Sequence, residues 1–336
     1  MVDRNSWVDN AKAIGIILVV FGHVFRGLYN AGVPIDSAIY TLIDSVIYSF
    51  HMPLFFFLSG LFFTTSLQNR GAKGLLLSKV DTIIYPYILW SLLQGFIEAT
   101  LSTYTNGSVG FSDVLALLWQ PRAQYWFLYA LFLVFFVCSI IFRNRDYRFV
   151  LFFLPVAVMT YVYQDLISIN IYLGFISNNL VFFVVGILFG QLPLSRIFSK
   201  PLLFGGITLL FVLSQYFFHF NMDMVYSEKG YLSLLLAIIS IIFIVALSDW
   251  LSRYPLKFLV LIGTSSLAIY LMHVIFGAGS RVVLIKLFDV NDVFIHLVIG
   301  CIFGVIAPIL VLALSKRINF NYLLSAPVSR IFYRVH

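Results

Sequence analysis

The chain has 336 residues, of which 61% are hydrophobic and only 10% charged, and its formal net charge is +7. A soluble domain is about a quarter charged, and a water-soluble fold of this length cannot hide so much apolar surface. The composition excludes a soluble enzyme, a secreted disulfide scaffold and a disordered chain, and leaves an all-α polytopic membrane protein.

Apolar runs between charged punctuation predict ten spans, each near the roughly 20 residues a bilayer core requires. In chain order they are Ala13–Tyr29, Ser45–Leu67, Thr82–Leu101, Tyr125–Phe142, Phe149–Tyr163, Ile171–Gly190, Leu202–Phe220, Leu232–Leu247, Leu256–Phe276 and Phe294–Leu314. The fifth is short, and Pro53, Pro86 and Pro308 mark the second, third and tenth for kinks, which membrane helices tolerate. The first run lacks a small-residue cleavage site and carries Lys12 and His23, so it reads as a retained helix rather than a signal peptide. No long polar stretch interrupts the pattern, so residues 1–336 read as a single integral-membrane domain without a soluble one.

The basic residues orient this topology. With the N-terminus in the cytoplasm, 16 Lys and Arg fall in inside segments, from Arg4 through Arg196 to Arg334, and 5 fall outside: Arg26, Arg122, Lys229, Arg281 and Lys286. That asymmetry predicts an even number of spans and both termini inside, and it accounts for the positive charge without nucleic acid. Cys138 and Cys301 sit within apolar runs and read as small core residues.

Ionisable groups inside apolar helices are costly, so each calls for a reason. Lys12 and His23 are eleven residues apart, which is three helical turns plus about 20°, and Asp9 falls within about 40° of the same stripe. The rise from Lys12 to His23 is about 16 Å. Two readings follow. In one, Asp9 and Lys12 are a surface pair at a helix entrance and His23 is an interhelical hydrogen-bond partner. In the other, Lys12 holds an anionic ligand at the inner edge, and a narrow tunnel joins it to a base at mid-depth. His51, just before Pro53, falls at a similar depth; it reads either as a second pocket histidine or as a helix-start residue bonding exposed backbone. His273 lines the same vestibule or sits at the interface, Glu98 belongs to vestibule or loop, and His219 and His296 carry no assigned chemistry. Arg122 beside Tyr125-Trp126-Phe127 reads as an interfacial aromatic belt or as a platform for a sugar face. No Walker loop, dinucleotide fingerprint or zinc spacing is present, and no metal is expected.

Two runs carry a resemblance. Trp7-Val8-Asp9-Asn10-Ala11-Lys12-Ala13-Ile14 leading to Val19-Val20-Phe21-Gly22-His23, and Phe50-His51-Met52-Pro53-Leu54-Phe55-Phe56-Phe57-Leu58-Ser59-Gly60, resemble membrane-bound acyltransferase family 3, in particular its fucose 4-O-acetylase-like branch of bacterial glycan O-acetyltransferases. Tyr85-Pro86-Tyr87-Ile88-Leu89-Trp90, Trp126-Phe127-Leu128 and Ser266 through His273 match in order and spacing. The resemblance implies a multi-pass protein of the bacterial inner membrane that moves an acetyl group from cytoplasmic acetyl-CoA to a hydroxyl of a surface polysaccharide or lipid-linked glycan. Many members carry Arg where this chain has Lys12, which keeps the charge and loses the bidentate fork.

On this reading His23 is a general base, His51 orients the acceptor or donates to the oxyanion, and Asp9 completes the catalytic set. Lys12, Arg70, Lys73 and Lys79 meet the anionic nucleotide of the acyl-CoA. Arg122, Trp126 and His273 bind the acceptor. A covalent route, in which His23 first takes the acetyl group, is the second mechanism. A transporter or flippase for a glycan or lipid is the rival function.

Overall fold

The structure, a computed structural model, describes residues 6–100, 111–145, 148–192, 200–254 and 256–333. Arg4, Leu101, Arg196 and Arg334, named above, lie outside the described residues. Every regular element among the described residues is helical. Lipid offers backbone groups no hydrogen-bond partner, so each apolar segment satisfies its own along a helix.

The first helix, α1 (Ser6–Asn30), is followed by α2 (Ser37–Tyr48) and α3 (His51–Gly60). These two replace the predicted second span, which therefore starts earlier and is interrupted at residues 49–50. Pro53 sits in the first turn of α3, where its missing N–H costs nothing. Next, α4 (Phe63–Lys79) bends at Gly71, whose φ of 66° suits a residue without Cβ. A π turn, Val80–Ile84, leads into α5 (Tyr85–Thr100). Pro86 has no N–H for the carbonyl four residues back, and the widened turn accommodates that gap.

After α6 (Phe111–Leu115) and two short 3-10 turns come α7 (Trp126–Ile141), α8 (Phe149–Val162), α9 (Gln164–Ile167), α10 (Ile171–Ser177) and α11 (Leu180–Phe189). The last long elements are α12 (Pro201–Tyr216), α13 (Tyr231–Leu251), α14 (Lys257–Thr264), α15 (Ser266–Phe288) and α16 (Val293–Arg317). Asn170 caps α10 through the amides of Tyr172 and Leu173, and Asp292 caps α16 through that of Ile295.

Among the described residues nine segments are long and apolar enough to cross a membrane, and α8 is a shorter apolar helix. The fold is thus an all-α polytopic bundle. The predicted ninth span, Leu256–Phe276, is corrected. The chain breaks at Ser265, and the crossing-length helix is α15, which runs to Phe288. Arg281 and Lys286, expected in a loop, lie in the last two turns of that helix. Arg281 is buried there and donates to the Gly27 carbonyl of α1, a partner inside the protein for its head group.

The described chain divides into two compact units. The first takes the chain up to Leu18, Ser37–Ala72 and Leu133–Thr264; the second takes Val19–Asp36, Lys73–Phe132 and the chain from Ser265 on. In the first unit α3 and α11 meet backbone to backbone. Gly186 of α11 and Gly190 just after its end, four residues apart, face the carbonyls of Phe57 and Leu61, and Gly60 faces the carbonyl of Phe183. Small residues at this spacing let helix backbones approach where lipid supplies no hydrophobic drive. Phe63, Phe135, Phe142 and Phe183 close the contact: the Phe63 ring centroid lies 5.4 Å from that of Phe183, 6.0 Å from Phe142 and 6.2 Å from Phe135, and Phe135 lies 4.9 Å from Phe183.

In the second unit Gly300 and Gly304 of α16 lie against Val24 and Val20 of α1. The C-terminal segment is tied back to α5 and the turn before it: Tyr85 Oη donates to the Tyr322 carbonyl at 2.8 Å, Trp90 Nε1 to that of Leu323 at 3.0 Å, and the Ser329 amide and hydroxyl to the Asp81 carboxylate at 2.7 and 2.6 Å.

One loop of the first unit holds a largely buried cation. Lys229, between α12 and α13, donates to the Tyr226 carbonyl at 2.9 Å and lies 5.5 and 5.9 Å from the ring centroids of Tyr226 and Tyr161. Burial pulls its ammonium down from 10.5 to about 8. Between these values the unfolded chain binds a proton that the folded chain has released, so stability rises with pH from about 8 to about 10.5 and is flat below. Lys229→Met flattens that rise. Thermal unfolding in detergent between pH 7 and 11 checks it, and an unchanged slope refutes it.

Candidate active site

His23 lies in the second half of α1, eleven residues after Lys12 on one unbroken helix. The two therefore share a stripe with a rise of about 16 Å, as the spacing predicts. His23 belongs to the second unit. Within that unit its ring meets His273 of α15 edge-on, with centroids 5.0 Å apart and planes at 64°. The two are 250 positions apart in the chain. His273 is 1% exposed. It sits well inside the helix rather than at an end, because α15 continues for four further turns.

The segment holding His273 is anchored by a polar network on α5, the start of α7 and α15. Tyr125 Oη donates to Gln94 Oε1 at 2.8 Å or to the Leu271 carbonyl at 2.9 Å, Tyr270 Oη donates to the Gln124 carbonyl, and the amides of Gln94 and Gln124 pair with each other. Gln94, Tyr125 and Tyr270 are buried. Arg122, the expected acceptor-binding cation, pairs with Glu98, four residues beyond Gln94 on α5. Its guanidinium runs over Gly95, where a Cβ would collide with it. Trp126 opens α7, half-buried and edge-on to Phe127 at 6.4 Å. The sequence signal for this network was faint: Gln94 and Glu98 one turn apart in an otherwise apolar helix.

The remaining candidates divide between the units. Asp9 and Lys12 lie in the first unit on the opening turns of α1, Asp9 buried and Lys12 half-buried. The Asp9 backbone carbonyl faces Gly263 of α14 so closely that no Cβ fits between them. Beside it, Asn10 donates to the Ser248 carbonyl at 3.3 Å. A cavity of about 250 Å³ opens there, lined by Ser6, Asn10, Ser252, Tyr254 and Lys257 among others.

His51 is fully buried in the first unit as the first residue of α3. Its Nδ1 lies 2.7 Å from the Ile47 carbonyl and its ring is edge-on to Tyr48 at 4.4 Å, so it bridges the break between α2 and α3. Arg70 precedes the Gly71 bend in the first unit, whereas Lys73 and Lys79 follow it in the second. Arg70 and Lys73 are exposed. His219 faces the Met224 carbonyl and Gln215, and His296 donates to the Val290 carbonyl.

An imidazole is a side chain suited to take a proton from a hydroxyl near neutral pH. The second unit carries one on α1 and a second beside it. No curated protein and no solved structure matches the chain, but the family model of an acyltransferase domain, that of acyltransferase family 3, matches residues 5–313. The match covers nearly the whole bundle, from the first turn of α1 to within one turn of the end of α16, and the chain belongs to this family of membrane acyltransferases.

Proposed function

We propose that the protein is an O-acetyltransferase of the bacterial inner membrane, with both termini cytoplasmic, that moves an acetyl group from acetyl-CoA to a hydroxyl of a surface polysaccharide or lipid-linked sugar. The observation that carries the reading is the stripe on α1, a cation at one end and an imidazole about 16 Å farther along. Acetyl-CoA has a matching form: an anionic nucleotide joined by a thin arm to the thioester. Lys12 holds the nucleotide, with Lys73 and Lys79 adding positive charge near the membrane surface.

His23 takes the proton of the sugar hydroxyl as its oxygen attacks the thioester carbonyl carbon. The tetrahedral intermediate collapses, the carbon–sulfur bond breaks, and the departing thiolate receives the proton from the imidazolium. The product is an acetyl ester and free coenzyme A. In the covalent alternative the acetyl group visits His23 first, and a burst of one coenzyme A per enzyme separates the two routes.

The test uses membranes containing the protein, labelled acetyl-CoA and cell-surface polysaccharide stripped of its esters by mild alkali. Acetyl-CoA is consumed and label enters the polysaccharide only when both are present. Consumption that ignores the polysaccharide overturns the reading, and transport of unmodified glycan without ester formation would support a flippase instead. Lys12→Arg keeps the charge and leaves KM for acetyl-CoA within a few-fold. Lys12→Ala removes a charge-assisted contact and raises it by about 10- to 100-fold. Equal loss in both variants argues against simple anion binding.

A further inference from the structure

We infer that His273 is the positioning residue of His23, holding its ring through a hydrogen bond that forms when substrate arrives; the inference rests on the acyl-transfer reading above. The argument starts from the tautomer. Nδ1 of His273 lies 2.8 Å from the Tyr270 carbonyl and 3.1 Å from that of Ile269. Carbonyls only accept, so Nδ1 carries the hydrogen, and in the neutral ring Nε2 carries the lone pair. That nitrogen is buried and has no hydrogen-bond partner among the described residues.

An unpartnered buried acceptor is destabilising and is a reason to look for a missing donor. The imidazole beside it is His23, 5.0 Å away between centroids. Hydrogen bonds of a reacting group are often misaligned before substrate binds and tighten in the complex. A turn of the His23 ring brings an N–H to His273 Nε2. The other His23 nitrogen then presents its lone pair to the hydroxyl, and the imidazolium formed is stabilised through the same bond.

His273 itself cannot turn freely. Its Nδ1 is held by two carbonyls, its ring is 6.3 Å from Tyr270, and Gly304 of α16 packs against its Cβ at 3.8 Å from an ideal Cβ position. The Tyr125, Gln94 and Gln124 network fixes residues 270 and 271 of α15. This gives a chain of backbone carbonyl, His273, His23 and substrate hydroxyl.

Two substitutions separate this role from packing. The amide of His273→Asn keeps a donor near Nδ1 for the carbonyls and removes the acceptor at Nε2. His273→Gln places its amide oxygen near Nε2 and restores an acceptor. With labelled acetyl-CoA and the alkali-treated polysaccharide, His273→Asn is expected to lower kcat about 100-fold with KM for acetyl-CoA unchanged, and His273→Gln to recover at least tenfold of that. Wild-type kcat in His273→Asn, or equal loss in both variants, overturns the inference while leaving the acyltransferase reading intact. An inactive wild-type protein fails that reading instead. If neither variant folds, nitrogen-15 histidine spectra of the wild-type protein in bilayers with and without coenzyme A decide the matter. The His273 Nε2 resonance moves as it accepts a hydrogen bond from His23, and a resonance that stays put overturns the inference.

Discussion

His23→Ala is expected to reduce acetyl transfer by about a thousandfold, the usual range for loss of a positioned general base, while the protein remains folded in the membrane. The size follows from what is lost. A sugar hydroxyl is a poor nucleophile near neutral pH, and the group that takes its proton on this reading is gone. A half-buried residue on a long helix is replaced by a strong helix former, so α1 keeps its backbone. The decisive measurement is kcat with label incorporation into polysaccharide, alongside KM for acetyl-CoA and thermal unfolding. Loss in kcat with KM unchanged places the effect on the chemical step. Full activity in His23→Ala removes the site assignment altogether.

The second large effect concerns the fold. Gly60→Val and Gly186→Val are each expected to cost about 3 kcal/mol or more and to leave little folded protein in the membrane. The new Cβ at position 60 would run into the Phe183 carbonyl, and the one at position 186 into the Phe57 carbonyl. These are backbone atoms, so no rotamer change relieves the clash and the helices must separate. Separation also opens the packing of Phe57, Phe183 and Phe63, all buried. Gly205→Ala and Gly206→Ala on α12 are the matched controls, because a Cβ there meets nothing within 4 Å. They are expected to be neutral or to stabilise by up to about 1 kcal/mol through helix propensity. Detergent-extracted yield and thermal unfolding read both sets. A Gly186→Val protein as stable as wild type contradicts the close approach of α3 and α11.

Hydropathy made the bundle legible because a bilayer imposes length and apolarity on each segment separately. Breaks were less legible. Pro53 was visible, yet it is accommodated inside the first turn of α3, and the interruption falls just before it at residues 49–50. Ser265 gave no comparable signal, so one span was read where α14 and α15 are distinct helices. Arg281 was read as loop because a charge usually marks a helix end. Its acceptor, the Gly27 carbonyl, lies on another helix and cannot be seen locally.

The candidate site divides in the same way. Lys12 and His23 share a helix, so the 3.6-residue period alone sets their common stripe. Residues on different helices have no such period to relate them. Membrane helices are apolar nearly all round, and the pattern along α15 does not reveal which face meets α1.

The order of residues alone therefore determined that this chain is a polytopic helical membrane protein, that α1 carries a cation and an imidazole on one stripe, and that its motifs resemble those of an acyltransferase family. Only the tertiary structure decided that His273 lies beside His23, that Arg122 pairs with Glu98, and that glycines on α3 and α11 bring two backbones together. The reason is physical: helical spacing and lipid solubility act along the chain, whereas the choice of partner is made by packing between helices whose outer faces look alike.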